Sequence, residues 1–212
     1  MRPAIWSILI GLLVGASGCL CPPSLGEPVE DTARRAALLA SYRPPQVQRV
    51  VYRTVLRSGG REISLAEVVK RSPEGGFSVA GVTDIGNTLY AVQIDPGGKG
   101  RVISKSLPFS DRWLLDHLVK ELLIPWNGPQ ETSELYRLPD EGWALIHEED
   151  RLADVFVFDE RENWTEFRLL AGGRLQSRIS LEWDEGSTPN VMRVDNRDKH
   201  YRVVRERVSS TP

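Results

Sequence analysis

"SVAGVTDIGNTLYAVQI", Ser78 to Ile94, is the stretch whose reading decides the fold. Two apolar runs, residues 78–82 and 88–94, flank the turn formers Asp84, Gly86 and Asn87, which is the pattern of a β-hairpin. One residue is out of character. Ile85 occupies the middle of the turn, where the chain faces water and where a β-branched side chain is a poor turn former. The hairpin reading therefore raises a second question: what an aliphatic loop tip is for.

Working outward, the period of two continues on both sides. Val50, Tyr52, Thr54 and Leu56 point one way, and Arg49, Val51, Arg53, Val55 and Arg57 point the other, which predicts a strand with one wetter face. "SGG" turns it into "REISLAEVVKR", "SPEGG" leads into the hairpin, and "DPGGKG" leads out into "RVISKSL". Five antiparallel strands in a meander follow from this spacing.

The alternation then breaks. "SDRWLLDHLVKELLIPW" predicts a helix with Ser110 as N-cap and Pro125 as its stop. Leu115, Leu118, Val119 and Leu122 recur at helical spacing, and Leu114 and Leu123 widen the stripe to about half the circumference. A helix on one face of a sheet needs less, so this one calls for apolar contact on nearly two sides. A short turn of helix is expected within "PQETSELYRL", after which "GWALIHEE", "ADVFVFDE", "WTEFRLLA" and "LQSRISLEW" read as strands. In the last, Ile179, Leu181 and Trp183 alternate with Arg178, Ser180 and Glu182. "NVMRVDNRDKHYRVVRERV" reads as a closing hairpin, and upstream "DTARRAALLASYR" reads as a short helix capped by Asp31 or Thr32 and ended by "RPP". The predicted architecture is mainly β (α+β): a strongly curved antiparallel sheet, a half or open β-barrel, with the central helix in its concave face. It spans residues 31–208, with 209–212 as a tail.

The start of the chain bears on the compartment. In "MRPAIWSILIGLLVGASGCLCPP", Arg2 precedes an uncharged apolar run too short to span a bilayer comfortably, followed by small residues and Cys19. "ASGC" resembles a bacterial lipobox, with residues 1–18 as the signal peptide and Cys19 as the lipid attachment site; ordinary secretion is the alternative. Residues 19–30 form a Pro- and Gly-containing tether. By resemblance to lipoprotein sorting, Leu20 differs from the Asp that retains lipoproteins in the inner membrane, so the expected place is the outer membrane, on its periplasmic side. Cys19 and Cys21 are the only cysteines, and with Cys19 lipidated no disulfide, zinc or CxxC chemistry is available.

Composition excludes more than it assigns. Of 212 residues, 41% are hydrophobic and 26% charged, ordinary values for a globular chain, and the net charge of −2 offers no basic footprint for nucleic acid. "HEED" at His147 to Asp150 is a consecutive run at a strand end, and a metal or acid–base site needs groups converging from separate elements. His117, four residues after Trp113, falls on the polar side of the central helix and reads as exposed. No hydrolase, zincin or phosphate-loop motif occurs, so no catalytic residue, metal site or cofactor is expected. Six tryptophans are many for this length. Trp113, Trp126, Trp143, Trp164 and Trp183 either anchor a core or line a cavity for aliphatic chains.

A lipidated N-terminus, a short helix, a β-meander, a helical interruption and a return to strands together resemble the LolA/LolB-like superfamily, and within it an uncharacterised branch of outer-membrane lipoproteins. That resemblance implies an apolar cavity for acyl chains. The LolB-like members join their third and fourth strands by an Asn-Pro-Leu-Gly loop with an exposed leucine that serves delivery to the membrane. Here "TDIGNT" stands at that place, with Ile85 for the leucine, Gly86 for the glycine and Asp84 where the proline would be. The function implied is a non-enzymatic lipoprotein that accepts an acylated ligand, a lipid or a lipoprotein, and aids its transfer to the membrane. Its partners would be the membrane, that ligand and a periplasmic carrier protein. Trp113, Leu114, Leu115, Leu118, Val119, Leu122 and Trp183 are the expected cavity lining, and Ile85, Asp84 and Gly86 the transfer loop. The other reading of Ile85 is that the loop folds over and caps the core. The other reading of the whole chain is an envelope scaffold with a filled barrel, acting through a protein partner.

Overall fold

The alternating segments pair into one antiparallel sheet of 13 strands in a computed structural model that describes residues 26–139, 142–184 and 188–211. The strands are β1 (Glu27–Pro28), β2 (Arg49–Ser58), β3 (Arg61–Arg71), β4 (Phe77–Val82), β5 (Thr88–Ile94), β6 (Gly100–Lys105), β7 (Glu134–Arg137), β8 (Trp143–Glu149), β9 (Leu152–Phe158), β10 (Trp164–Ala171), β11 (Arg174–Trp183), β12 (Pro189–Asn196) and β13 (Tyr201–Thr211). Strands β2 to β6 form the expected meander, β7 to β13 form a second one, and the pairing of β13 with β2 joins them. The sheet begins at β1 and ends at β6, and these two do not pair, so the barrel stays open. Period two decides the inner face. Val50, Tyr52 and Leu56 of β2, Leu65 and Val69 of β3, Val79 of β4, and Tyr90 and Val92 of β5 are all buried there.

The central helical segment, residues 111–127, fills the concave side. Ser110 caps it as expected, its Oγ accepting from the Trp113 backbone N–H at 3.0 Å. Its path departs from an ordinary α-helix. After Asp111–Trp113, residues Leu114–Val119 form a wider π-type turn before Lys120–Leu122 resumes α geometry. In a wider turn, residues four and five apart share a face, which brings Leu114, Leu118, Val119, Leu122 and Leu123 together in the core and moves Leu115 to half-buried. Pro125 does not stop the segment. A further turn, Ile124–Asn127, forms because a proline in a first turn gives up no hydrogen bond, and Gly128 at φ +55° ends it.

Three boundaries move for similar local reasons. The helical turn expected within "PQETSELYRL" is a single turn, closed by the Ser133 N–H donating to the Gln130 carbonyl at 3.0 Å, and it leads directly into β7, where Leu135 and Tyr136 are buried between neighbouring strands. Strand β13 runs to Thr211 and pairs with Arg49, taking in residues expected as a tail. Glu27 and Pro28, expected in the tether, pair with Arg137 and Tyr136 of β7. Gly26 makes that approach possible: with φ at +69°, a Cβ there would lie 1.8 Å from the Arg137 carbonyl oxygen. Cys19, Cys21 and the proposed signal peptide lie outside the described residues.

Helix α1 (Thr32–Ser41) has Asp31 as its N-cap, accepting from the Arg34 N–H at 2.8 Å. It closes one end of the barrel. Arg34 pairs with Glu162 and stacks over Trp143, and the Tyr42 hydroxyl donates to the Pro125 carbonyl at 2.9 Å. The β4–β5 turn with Ile85 sits at the other end of the strands.

Candidate functional site

The Ile85 loop is a five-residue turn with a repeated geometry. The Thr83 N–H donates to the Asn87 carbonyl and the Gly86 N–H to the Thr83 carbonyl, both at 2.9 Å, while Thr83 Oγ1 accepts from the Asn87 N–H at 3.0 Å. The positive φ that the turn needs falls on Gly86, at +86°, so the β-branched residue escapes it. Residues 72–76, 95–99 and 159–163 close their turns with the same three bonds, and their third positions hold Glu74, Gly97 and Arg161. The turn therefore asks for nothing apolar at that position. Ile85 is 84% exposed and caps no core. Sequence reading had credited Asp84 and Asn87 with forming the turn; the anchoring side chain is Thr83.

The seven residues expected to line a cavity divide three ways. Leu114, Leu118 and Leu122 are packed in the core, and Trp113 stacks on Phe109 at 4.1 Å and meets Tyr201 edge-on at 5.2 Å. Leu115 and Val119 line a groove of about 570 Å³ between the central segment and the ends of β4, β5 and β6. Trp183 lines a second recess, about 630 Å³, with Tyr42, Phe158 and Trp164 beneath α1. Of the two, the first groove is walled by Phe77, Ile94, Leu115, Val119, Leu123 and Trp126, with Arg71 and Lys120 among its polar residues. Leu115 packs so closely on Gly100 that a Cβ there would stand 2.7 Å from its side chain. The Trp126 indole N–H is buried without a partner among the described residues. Both volumes fall in the range of small-molecule sites, about 300–1,000 Å³.

Beneath the central segment lies a polar cluster that sequence reading missed. Arg205 of β13 and Glu67 of β3 are fully buried and paired at 2.6 Å. Thr54 donates to the same carboxylate at 2.7 Å, Tyr90 donates to its other oxygen, and Arg205 Nη2 donates to the Leu118 carbonyl at 3.0 Å. Burial works against the charged guanidinium, but Glu67 with its neighbours outweighs it, and the Arg205 pKa is raised. Burial likewise raises the Tyr90 hydroxyl well above its ordinary value, with Glu67 adding to the effect. A second set holds Glu121: Ser177 Oγ donates to its Oε1 at 2.9 Å and Asn196 Nδ2 at 3.1 Å. A signal was present in the sequence. Thr54, Glu67 and Arg205 occupy inward positions of alternating strands, where an apolar residue is the default.

His117 proves half-buried, 5.6 Å from the Trp113 ring and 6.2 Å from Tyr201. Burial lowers its pKa, and Glu121 opposes that shift. His147 meets Thr132 at 3.1 Å through Nδ1, while Glu148, Glu149 and Asp150 stay exposed at its strand end. Among the described residues no three metal-ligating side chains converge, and no helix is long and apolar enough to cross a membrane.

No protein-family profile matches the sequence, and no curated protein matches it. Solved structures do match. A LolA superfamily protein from Nitrosomonas europaea superposes with a TM-score of 0.53 at 9% identity, covering 83% of this chain and 92% of that one. A DUF1329 family protein from Desulfovibrio piger superposes with a TM-score of 0.50 at 12% identity, covering 82% of this chain and 90% of that one. Matched over most of its length, this chain, an open antiparallel sheet with a helical segment in its concave face, shares the fold of that LolA superfamily protein.

Proposed function

We propose that this protein is a lipoprotein of the bacterial envelope, anchored to the outer membrane through Cys19. It takes up the acyl chain of a lipid or lipoprotein and passes it on. The groove beside the central segment carries this reading: its walls are aliphatic and aromatic, and its charged residues, Arg71 and Lys120 with Asp95 and Asp116, stand at its polar edge. The shared fold with a LolA superfamily protein supports the same reading. The core under the segment is packed, so uptake starts in the groove rather than in a hollow barrel.

Ile85 serves transfer. Burying an exposed aliphatic side chain contributes about 1.5–3 kcal/mol, enough to favour brief contact with a bilayer or a ligand's chain. The tip and the first strand are at opposite ends of the sheet. The link from Cys19 to Gly26 reaches at most about 25 Å, and the ten-residue β2 alone is about 33 Å long. Ile85 therefore meets the anchoring membrane only with the strands lying along it. Ile85→Glu leaves the turn's hydrogen bonds intact and should change stability by no more than about 0.5 kcal/mol. The expected result is wild-type thermal unfolding and wild-type capture of a fluorescent fatty acid, with slower release of that probe to liposomes. A wild-type protein that neither captures the probe nor co-purifies with lipid in native mass spectrometry would sink the carrier reading and favour a scaffold.

Anchoring is tested separately. Cys19→Ser is expected to move the protein from the membrane to the soluble periplasmic fraction; a mutant that still sediments with outer membrane in high salt rules out the lipid anchor.

A further inference from the structure

A larger concavity, about 730 Å³, opens on the end that carries Ile85, between the β2–β3 and β12–β13 turns. Nothing in the acyl-carrier reading uses it. Its lining includes Arg57, Arg61, Arg197 and Arg202 against two carboxylates, Glu62 and Asp195.

The arrangement of these charges is unusual. Arg57 of β2 and Arg202 of β13 stand directly opposite each other on the outer face, and like charges in that relation repel. Each is drawn to an acid on its far side. Arg57 Nε donates to Glu62 at 2.7 Å, and Arg202 Nε lies 3.4 Å from Asp195. These contacts engage only the Nε edge, and among the described residues the Nη groups of both arginines have no partner. The side chains of Arg61 and Arg197 have none either. The exposed turn glycines Gly59 and Gly60 border the concavity, and a Cβ added at either would meet nothing within 4 Å, so the approach is open there. Four guanidinium groups against two carboxylates leave a surplus of positive charge and open Nη donors, and a phosphate placed between Arg57 and Arg202 presents oxygens to both forks.

We propose that this cleft is an anion site whose ligand is a phosphate group, free or carried on a lipid headgroup. An anion between Arg57 and Arg202 relieves their repulsion and fills the open donor positions. Placed at the end opposite the anchor, the site meets its ligand from the periplasmic side or, with the strands lying along the membrane, at the headgroup layer.

The test uses the full chain in neutral detergent with inorganic pyrophosphate as the probe, followed by calorimetry and thermal unfolding. Wild-type protein should bind pyrophosphate and unfold at a higher temperature in its presence. Arg57→Gln/Arg202→Gln should weaken binding by about tenfold or more. Without the probe its midpoint should stay level or rise, since the repulsion is gone. Arg101→Gln, on β6 at the other end of the sheet, should bind as wild type. Doping the micelles with phosphatidylglycerol separates the sources. A rise in midpoint that the double variant loses assigns the site to headgroups, and a response to pyrophosphate alone assigns it to free phosphate. Wild-type protein that responds to neither probe, or a double variant that binds both undiminished, overturns the proposal.

Discussion

Arg205→Met is expected to destabilise the fold by about 3–5 kcal/mol, measured as the free energy of denaturant unfolding. The substitution removes the only cation paired with Glu67 among the described residues and leaves that carboxylate buried, with Thr54 and Tyr90 as its remaining donors. It also takes away the donor to the Leu118 carbonyl and so loosens the central segment from the sheet beneath it. Replacing both charges, Arg205→Met with Glu67→Gln, should recover a large part of the loss, because the penalty comes from one unpaired charge rather than from the missing bond. If the single change costs less than about 1 kcal/mol, the pair does not hold the segment in place.

Leu118→Glu should be comparably severe. Leu118 is 1% exposed, in the half of the central segment that faces the sheet. An unpaired carboxylate in a dry core costs several kcal/mol out of a total domain stability of about 5–15 kcal/mol. The unfolding midpoint should fall by about 10 °C or more, if the chain folds at all. Leu115→Glu provides the contrast. Leu115 is half-buried at the groove, so the same charge there should cost little stability and instead weaken capture of the fluorescent fatty acid. A Leu118→Glu protein that unfolds within a few degrees of wild type would show water reaching the concave face, and the barrel would then be hollow.

Much of this was legible in residue order because its causes are local. Alternation in "RVVYRTVLRS" determines both that a strand forms and which side of it faces inward, since successive side chains of an extended chain point to opposite faces. Ser110 and Asp31 cap their helices through bonds three residues away. The turn around Ile85 is closed within five residues, although whether its tip faces water or folds over the core was left open until the structure showed it 84% exposed.

The tertiary structure decided what depends on distant partners. Glu67 and Arg205 are 138 residues apart, and only the pairing of β13 with β2 and of β2 with β3 brings them together. Read alone, each was one more charge in a charged chain, although its inward phase marked it. The π-type turn, which moves Leu115 to the groove and buries Leu118, depends on how the segment fits the sheet rather than on helical spacing. The facing of Arg57 and Arg202 needs the register of two strands from opposite halves of the chain. By itself, the sequence determined most of the strands, the helix caps and the inner faces of the strands, because those follow from bonds and sterics within a few residues. Which charges meet, how the concave side is filled, and that Ile85 and the first strand lie at opposite ends were decided by strand order, which no local interaction specifies.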